Sequence, residues 1–201
     1  MATVRAAKLD AVVLAAGAGS RFGGGKLVSP WRDGVLLDGA LTTAFAAPAQ
    51  AVTLAWGADD RVVAVAEAFA ARIGQAARLH LVHAAHHAQG MAESLKAAIA
   101  SLPAHSDGAF VFLGDMPRIP SMVLPELALA VANGAAAAAP IFDGQRGHPV
   151  LFAADLYPRL MMLRGDRGAT SVLTEIGDGL ALVQAPDNGV LFDIDRPADQ
   201  G

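Results

Sequence analysis

The chain has 201 residues, a formal net charge of −4 and a hydrophobic fraction of 54%, with only 5% aromatic residues. This length supports one sizeable core, so we expect a single domain over residues 1–201. The acidic balance provides no basic surface for nucleic acid or for an anionic membrane, which argues against both as partners. Because the chain contains no cysteine, disulfides, thiolate nucleophiles and cysteine zinc sites are excluded.

Apolar runs that alternate with helical patterns predict an α/β fold. Continuous apolar runs are typical of strands buried on both faces of a parallel sheet, and they occur at 11–16, 51–55, 79–82, 109–113 and 136–140. Apolar residues at helical spacing predict helices over 59–72, 91–101 and 120–132. The alternation indicates βαβ units, hence a mostly parallel sheet with helices on both faces. Ligands bind such sheets beyond the carboxyl ends of the strands.

Two segments depart from this alternation. Residues 142–151 are rich in turn formers, and residues 190–197 predict a short strand that ends at a proline.

The start of the chain could imitate a signal peptide, because Arg5 and Lys8 precede the apolar run at 11–16. That run is shorter than the ~7 apolar residues that a signal peptide needs. We therefore predict a cytoplasmic protein.

Residues 17–26, which contain five glycines, predict a binding site for a polyphosphate. Glycines let backbone N–H groups approach an anion closely, and Arg21 and Lys26 supply the neutralising charge. A dinucleotide fingerprint would need glycine at position 22, where the chain has Phe22. A Walker A loop would need serine or threonine at position 27, where the chain has Leu27. A phosphate loop of another kind is therefore expected.

Aspartates at strand ends predict a magnesium site. Asp115 follows the apolar run at 109–113 and lies between a glycine and a proline. Asp193 and Asp195 are two positions apart, so on a strand they would face the same side. One Mg²⁺ usually takes one or two protein carboxylates together with phosphate and water. We expect Asp115 and Asp195 to hold the ion, with Asp193 as the alternative to Asp195.

Six motifs resemble those of the nucleotidyltransferases of the molybdenum cofactor pathway, and together they span nearly the whole chain. They lie at 14–26, 90–95, 114–117, 146–149, 165–168 and 193–197. The first is similar to that of many sugar-phosphate nucleotidyltransferases, whereas the Gly-His-Pro and Gly-Asp-Arg-Gly elements resemble the molybdenum branch. The resemblance implies a three-layer, Rossmann-like nucleotidyltransferase fold whose N-terminal part binds the nucleotide and whose C-terminal part binds the acceptor.

The same resemblance implies a reaction: transfer of a nucleotide from a nucleoside triphosphate to the terminal phosphate of molybdopterin, with Mg²⁺ as cofactor and pyrophosphate as product. It makes Arg21, Lys26 and Asp115 the catalytic residues. The residues implied in nucleotide binding are Ala15, Ala16, Gly17, Gly19, Ser20, Arg21, Lys26 and Ser94. Those implied in acceptor binding are Arg146, His148 and Asp166. The resemblance also implies handover of the product to a molybdoenzyme or its chaperone.

The base preference follows from one short stretch. Ala15-Ala16-Gly17 is similar to the cytidylyltransferases of this group, whereas the guanylyltransferases read Leu-Ala-Gly-Gly, so CTP is expected in preference to GTP. One departure concerns the nucleoside contacts: related sequences carry asparagine at the end of the third strand, where this chain has His83.

Two other functions and one other metal site are compatible with parts of the sequence. The phosphate loop and Asp115 also suit a nucleotidyltransferase that acts on a sugar-1-phosphate, and a carrier or maturation factor for the cofactor would need no turnover. Four histidines within eight positions, His80, His83, His86 and His87, invite a zinc interpretation. We favour a solvated loop next to the nucleotide, because His80 and His83 fall on opposite faces of a strand.

Overall fold

The structure is a computed structural model that describes residues 7–19, 22–165 and 168–196, and within them the chain forms ten strands and six α-helices. The strands are β1 (Leu9–Ala15), β2 (Pro30–Trp31), β3 (Gly34–Val35), β4 (Val52–Trp56), β5 (Leu79–His83), β6 (Gly108–Leu113), β7 (Ala137–Phe142), β8 (Gln145–Arg146), β9 (Val150–Ala153) and β10 (Leu180–Gln184). The helices are α1 (Leu36–Ala46), α2 (Arg61–Arg72), α3 (Met91–Ala100), α4 (Val123–Ala132), α5 (Tyr157–Met161) and α6 (Thr170–Glu175).

One mixed sheet organises the molecule. Its strand order is β10-β7-β9-β6-β1-β4-β5, with β8 paired to β7. The neighbours of β1 and β4 are all parallel, whereas β9 runs antiparallel between β6 and β7. The predicted α/β class with a mostly parallel sheet is confirmed.

Helices cover both faces of the sheet because side chains alternate along its strands. On β1, Val13 belongs to a core with α1, α2 and α4, whereas Val12 belongs to a second core with α3, α5 and α6. Both valines are fully buried, which explains why the strand reads as a continuous apolar run. The result is a three-layer arrangement.

The predicted elements match the observed ones closely, with differences at the ends. The predicted helices 59–72, 91–101 and 120–132 correspond to α2, α3 and α4, and the largest shift is three residues, at the start of α4. None of the helices in the described ranges has the length and apolarity that a bilayer crossing requires; α2, the longest of them, has 12 residues.

The strand predicted at 190–197 is wrong. The segment Asn188–Leu191 is a 3-10 turn, and no strand follows it as far as residue 196, where the description of this segment ends. The backbone here bonds to two different loops: Val190 accepts from His148 N at 2.9 Å, and Ile194 N donates to Asp115 O at 3.1 Å. A strand needs a continuous ladder with one partner, so these single bonds dock the segment without forming one.

Candidate active site

The loops that follow β1 and β6 lie side by side at the carboxyl edge of the sheet. Because these strands are parallel neighbours, with Leu14 in register with Leu113, their ends point to the same side. A hydrogen bond of 3.0 Å from Gly114 N to Leu14 O continues the pairing into the loops. The phosphate loop predicted after β1 is thereby placed beside Asp115.

Lys26 lies between two aspartates that the sequence predicted as metal ligands. Its Nζ is 2.8 Å from Asp115 Oδ2 and 3.2 Å from Asp195 Oδ1. Burial lowers the pKa of Lys26, but the hydrogen bonds and negative charges of the two aspartates outweigh it, so the pKa lies above its ordinary value. The lysine is therefore charged at neutral pH, and both carboxylates lie within reach of one cation.

The phosphate loop positions Lys26 through a close backbone approach. Gly19 has a φ of 58°, a conformation that side chains rarely adopt, and its carbonyl accepts from Phe22 N at 2.9 Å and Gly24 N at 3.1 Å. A Cβ at position 19 would lie 2.9 Å from the Cβ of Lys26. Gly19 is thus required both for the turn and for the packing of Lys26. Ser20 and Arg21, which the sequence placed in this loop, lie outside the described residues.

A cavity of about 580 Å³ opens between this loop, α3 and Asp115. The predicted residues that line it are Ala15, Ala16, Gly17, Gly19, Lys26, Ser94 and Asp115. His87 and Met91 also line it. The sequence predicted that the loop containing His87 lies next to the nucleotide, although it named neither residue as a binding residue. The position of His87 in the loop that follows β5, at the same edge of the sheet, was the signal that could have identified it.

A smaller cavity of about 180 Å³ adjoins the first, since Leu14, Met91 and Leu113 line both. Two of the three residues predicted to bind the acceptor, Arg146 and His148, line this second cavity. Most of its remaining lining is apolar. The third predicted residue, Asp166, lies outside the described residues, although Gly168 beyond it lines the cavity.

His148 carries an unsatisfied polar atom at this second cavity. Its Nδ1 is inaccessible to solvent and has no hydrogen-bond partner among the described residues. Burial lowers the pKa of His148 below its ordinary value of 6.5, against the opposing effects of a hydrogen bond with the Val111 backbone and the charge of Asp115. The ring is therefore neutral at pH 7, so its unpartnered nitrogen needs a ligand or water.

The neutral state of His148 predicts a pH effect on folding. Its pKa is lower in the folded chain, so its contribution to stability is present above about pH 6.5 and is lost as the pH falls below that value. We expect His148→Gln to show a smaller decrease in melting temperature between pH 7.5 and pH 5.5 than the wild type. Scanning calorimetry at both pH values measures this, and equal decreases in the two proteins would contradict it.

The carboxylates suit a metal that arrives with phosphate better than a preformed metal site. Burial raises the pKa of Asp193, and the negative charges of Asp115 and Asp195 raise it further. Asp193 therefore interacts electrostatically with both of the carboxylates that contact Lys26. Lys26 nevertheless forms its second ion pair with Asp195. Within the described ranges, no group of three or more histidine or acidic residues could hold a metal, and this includes the four histidines near β5. Two carboxylates beside a phosphate loop fit the donor set that Mg²⁺ takes with a nucleotide.

Comparison with known proteins identifies the group to which this arrangement belongs. The sequence profile of the MobA-like NTP transferase domain matches residues 11–180. The molybdenum cofactor cytidylyltransferase of Escherichia coli is 25% identical over 193 residues, which cover 95% of this chain and 93% of that protein. The purine catabolism protein PucB of Bacillus subtilis is 27% identical, with 98% and 96% coverage.

Solved structures agree with the fold. Rv0371c from Mycobacterium tuberculosis has a TM-score of 0.79 and 24% sequence identity, and the match covers 96% of this chain and 95% of that one. The profile match extends over most of the chain, from β1 through α6 to the start of β10. The chain belongs to the family of nucleotidyltransferases defined by the MobA-like NTP transferase domain.

Proposed function

We propose that this protein transfers CMP from CTP to the terminal phosphate of molybdopterin or the molybdenum cofactor, with Mg²⁺ and with release of pyrophosphate. The observation that carries the proposal is the pair of adjoining cavities, with Asp115 on the wall of the larger and His148 on the wall of the smaller. The two cavities adjoin at Leu14, Met91 and Leu113, and two reactants bound in them would meet there.

In this proposal the larger cavity receives the nucleotide. The backbone of residues 17–19 and the Lys26 ammonium bind the triphosphate, and Ser94 lies where the nucleoside would enter. Asp115 and Asp195 would hold Mg²⁺ together with phosphate oxygens, and the ion would supply charge neutralisation for the triphosphate. A phosphate oxygen of the acceptor forms the new bond to the α-phosphorus, and the bond from that phosphorus to the pyrophosphate oxygen breaks. The chain's residues contribute position and charge, without a covalent nucleophile.

The smaller cavity suits a flat heterocycle better than a sugar. Leu95, Val111 and Phe152 contribute apolar surface to its wall, which also includes the neutral ring of His148. A sugar-1-phosphate would need many hydroxyl-binding side chains, and among the described lining residues only Arg146, His148 and Thr170 have polar side chains. We therefore propose an acceptor of the pterin class, with the N-terminal part of a single domain binding the nucleotide and the C-terminal part binding the acceptor.

The choice of CTP rests on residues at the end of β1. Ala15 and Ala16 line the nucleotide cavity, and this Ala-Ala-Gly stretch is the one that resembles the cytidylyltransferases. The E. coli relative is itself named a cytidylyltransferase. We further propose that the protein acts in the cytoplasm and passes its product to a molybdoenzyme or that enzyme's chaperone.

Pyrophosphate release tests the proposal directly. The purified protein is incubated with Mg²⁺ and each of CTP, GTP, ATP and UTP in turn, with and without molybdopterin. We expect release only when both CTP and molybdopterin are present. Release with sugar-1-phosphates instead of molybdopterin would overturn the acceptor assignment, and molybdopterin binding without any release would indicate a carrier.

A further inference from the structure

The ammonium of Lys26 lies where the proposed metal would have to bind. Asp115 and Asp195 each direct one carboxylate oxygen at it, at 2.8 and 3.2 Å. We propose that Lys26 is a placeholder that holds divalent metal out of the site until a nucleoside triphosphate draws the ammonium to its phosphates. This inference rests on the proposed function, because it concerns the same two carboxylates.

The lysine and a metal ion cannot use these carboxylates together without a large electrostatic cost. A Mg²⁺ ion that used the two oxygens bonded to the ammonium would need them at about 2.0–2.1 Å, so it could not bind there while the ammonium stays in place. The Lys26 side chain is 11% exposed, so water screens the repulsion between the two cations poorly. Asp115 and Asp195 must therefore exchange one cation for the other.

The exchange requires movement of the side chain alone, because contacts fix the backbone of Lys26. Its carbonyl accepts from Ser29 Oγ at 2.7 Å and from Ser29 N at 3.2 Å, and its Cβ packs against Gly19. The ammonium is carried by four methylenes, so it can turn toward the loop at 17–19 while the backbone stays in place. A bound triphosphate in that loop would offer it a new negative partner.

The consequence is a coupling between nucleotide and metal. Without nucleotide, metal binding must first displace Lys26 and so is weak. With nucleotide, Lys26 pairs with phosphate, and both carboxylates turn to the metal that the phosphates help to bind. Because such coupling is reciprocal, metal also strengthens nucleotide binding.

Mn²⁺ binding in the absence of nucleotide tests the placeholder role without any turnover. Free Mn²⁺ is measured by electron paramagnetic resonance for the wild type and for Lys26→Met, which keeps an unbranched side chain one atom shorter and removes its charge. We expect Lys26→Met to bind Mn²⁺ about tenfold more tightly or better. Lys96→Met is the matched control, because Lys96 is the ammonium partner of Glu93 at 2.6 Å on α3, and its removal changes the net charge equally.

A second measurement adds a non-hydrolysable CTP analogue. The analogue should strengthen Mn²⁺ binding much more in the wild type than in Lys26→Met, because the variant has no ammonium to withdraw. Equal or weaker Mn²⁺ binding by Lys26→Met without nucleotide would overturn the placeholder role. So would an equal gain in Lys96→Met.

The double variant Lys26→Met with Asp115→Asn separates this inference from the proposed function. It should lose the tight Mn²⁺ binding, and retention would overturn the assignment of Asp115 to the metal and the inference with it. A different result is that Lys26→Met tightens Mn²⁺ binding through Asp115, while the wild-type protein does not release pyrophosphate with any acceptor tested. In that case the placeholder role stands and the proposed reaction fails.

Discussion

Replacing Asp115 by asparagine should reduce pyrophosphate release by about 10³-fold or more, because in the proposed reaction the transition state loses a carboxylate that would hold its metal. Asparagine has the same shape but no charge, so it cannot balance the metal or the Lys26 ammonium. Asp115→Ala should have the same effect. The fold should survive, since Asp115 is 27% exposed and Lys26 keeps Asp195 as a partner.

The measurement pairs a turnover assay with a thermal melt. Asp178→Asn is the matched control, because Asp178 lies in the 3-10 turn Gly177–Gly179, ahead of β10 and away from both cavities. It should leave turnover unchanged. Turnover at the wild-type rate in Asp115→Asn would refute the metal assignment. If that variant unfolds, the same two measurements are made on Asp195→Asn.

Gly39→Ala should destabilise the protein and slow turnover, although alanine is the better helix former. Gly39 lies in α1, and a Cβ there would come within 2.5 to 2.6 Å of Pro117, including its backbone carbonyl. Alanine in a helix gains about 1 kcal/mol over glycine. Overpacking against a rigid backbone costs about 1–3 kcal/mol, and here the contact is far inside normal limits, so the clash prevails.

The expected change is a melting temperature lowered by roughly 5 °C. The loop from Asp115 to Pro117 must shift to relieve the clash, so kcat should fall more than KM changes; displacement by about 1 Å can cost about 10²-fold. Gly179→Ala is the control, since a Cβ there would meet its neighbours at 3.5 Å or more. A Gly39→Ala variant that is as stable and active as the wild type would show that α1 and this loop are not in close contact.

Much of the candidate site was predictable because it depends on local sequence. Asp115 follows a strand whose apolar run is unbroken, and parallel strands bring their carboxyl ends to one edge. The glycines before Lys26 mark a loop that backbone groups can use to bind anions. With Ser94 at the start of α3, these residues line one cavity. For Ser20, Arg21 and Asp166, which fall outside the described residues, the roles stay predictions.

Other features depended on contacts between distant parts of the chain. The segment before Asp195 looked like a strand, yet its backbone bonds to the loops at Asp115 and His148 and has no ladder partner. No periodic pattern marked α1, because the helix is apolar on most sides and is buried between the sheet, α2 and the loop at Pro117.

The sequence by itself determined the fold class and the position of Asp115 directly after a strand, and it predicted a phosphate loop after the first strand. Burial of a strand or a helix leaves a periodic pattern in its own residues, and a loop that binds phosphate needs particular residues in succession. Only the tertiary structure decided that Lys26 meets Asp115 and Asp195, which are 89 and 169 positions away in the chain. It also decided that β9 runs antiparallel between parallel strands, and that the nitrogen of His148 lies unsatisfied at a cavity. Pairing, register and loop docking arise from contacts between segments, and no pattern within one segment records them.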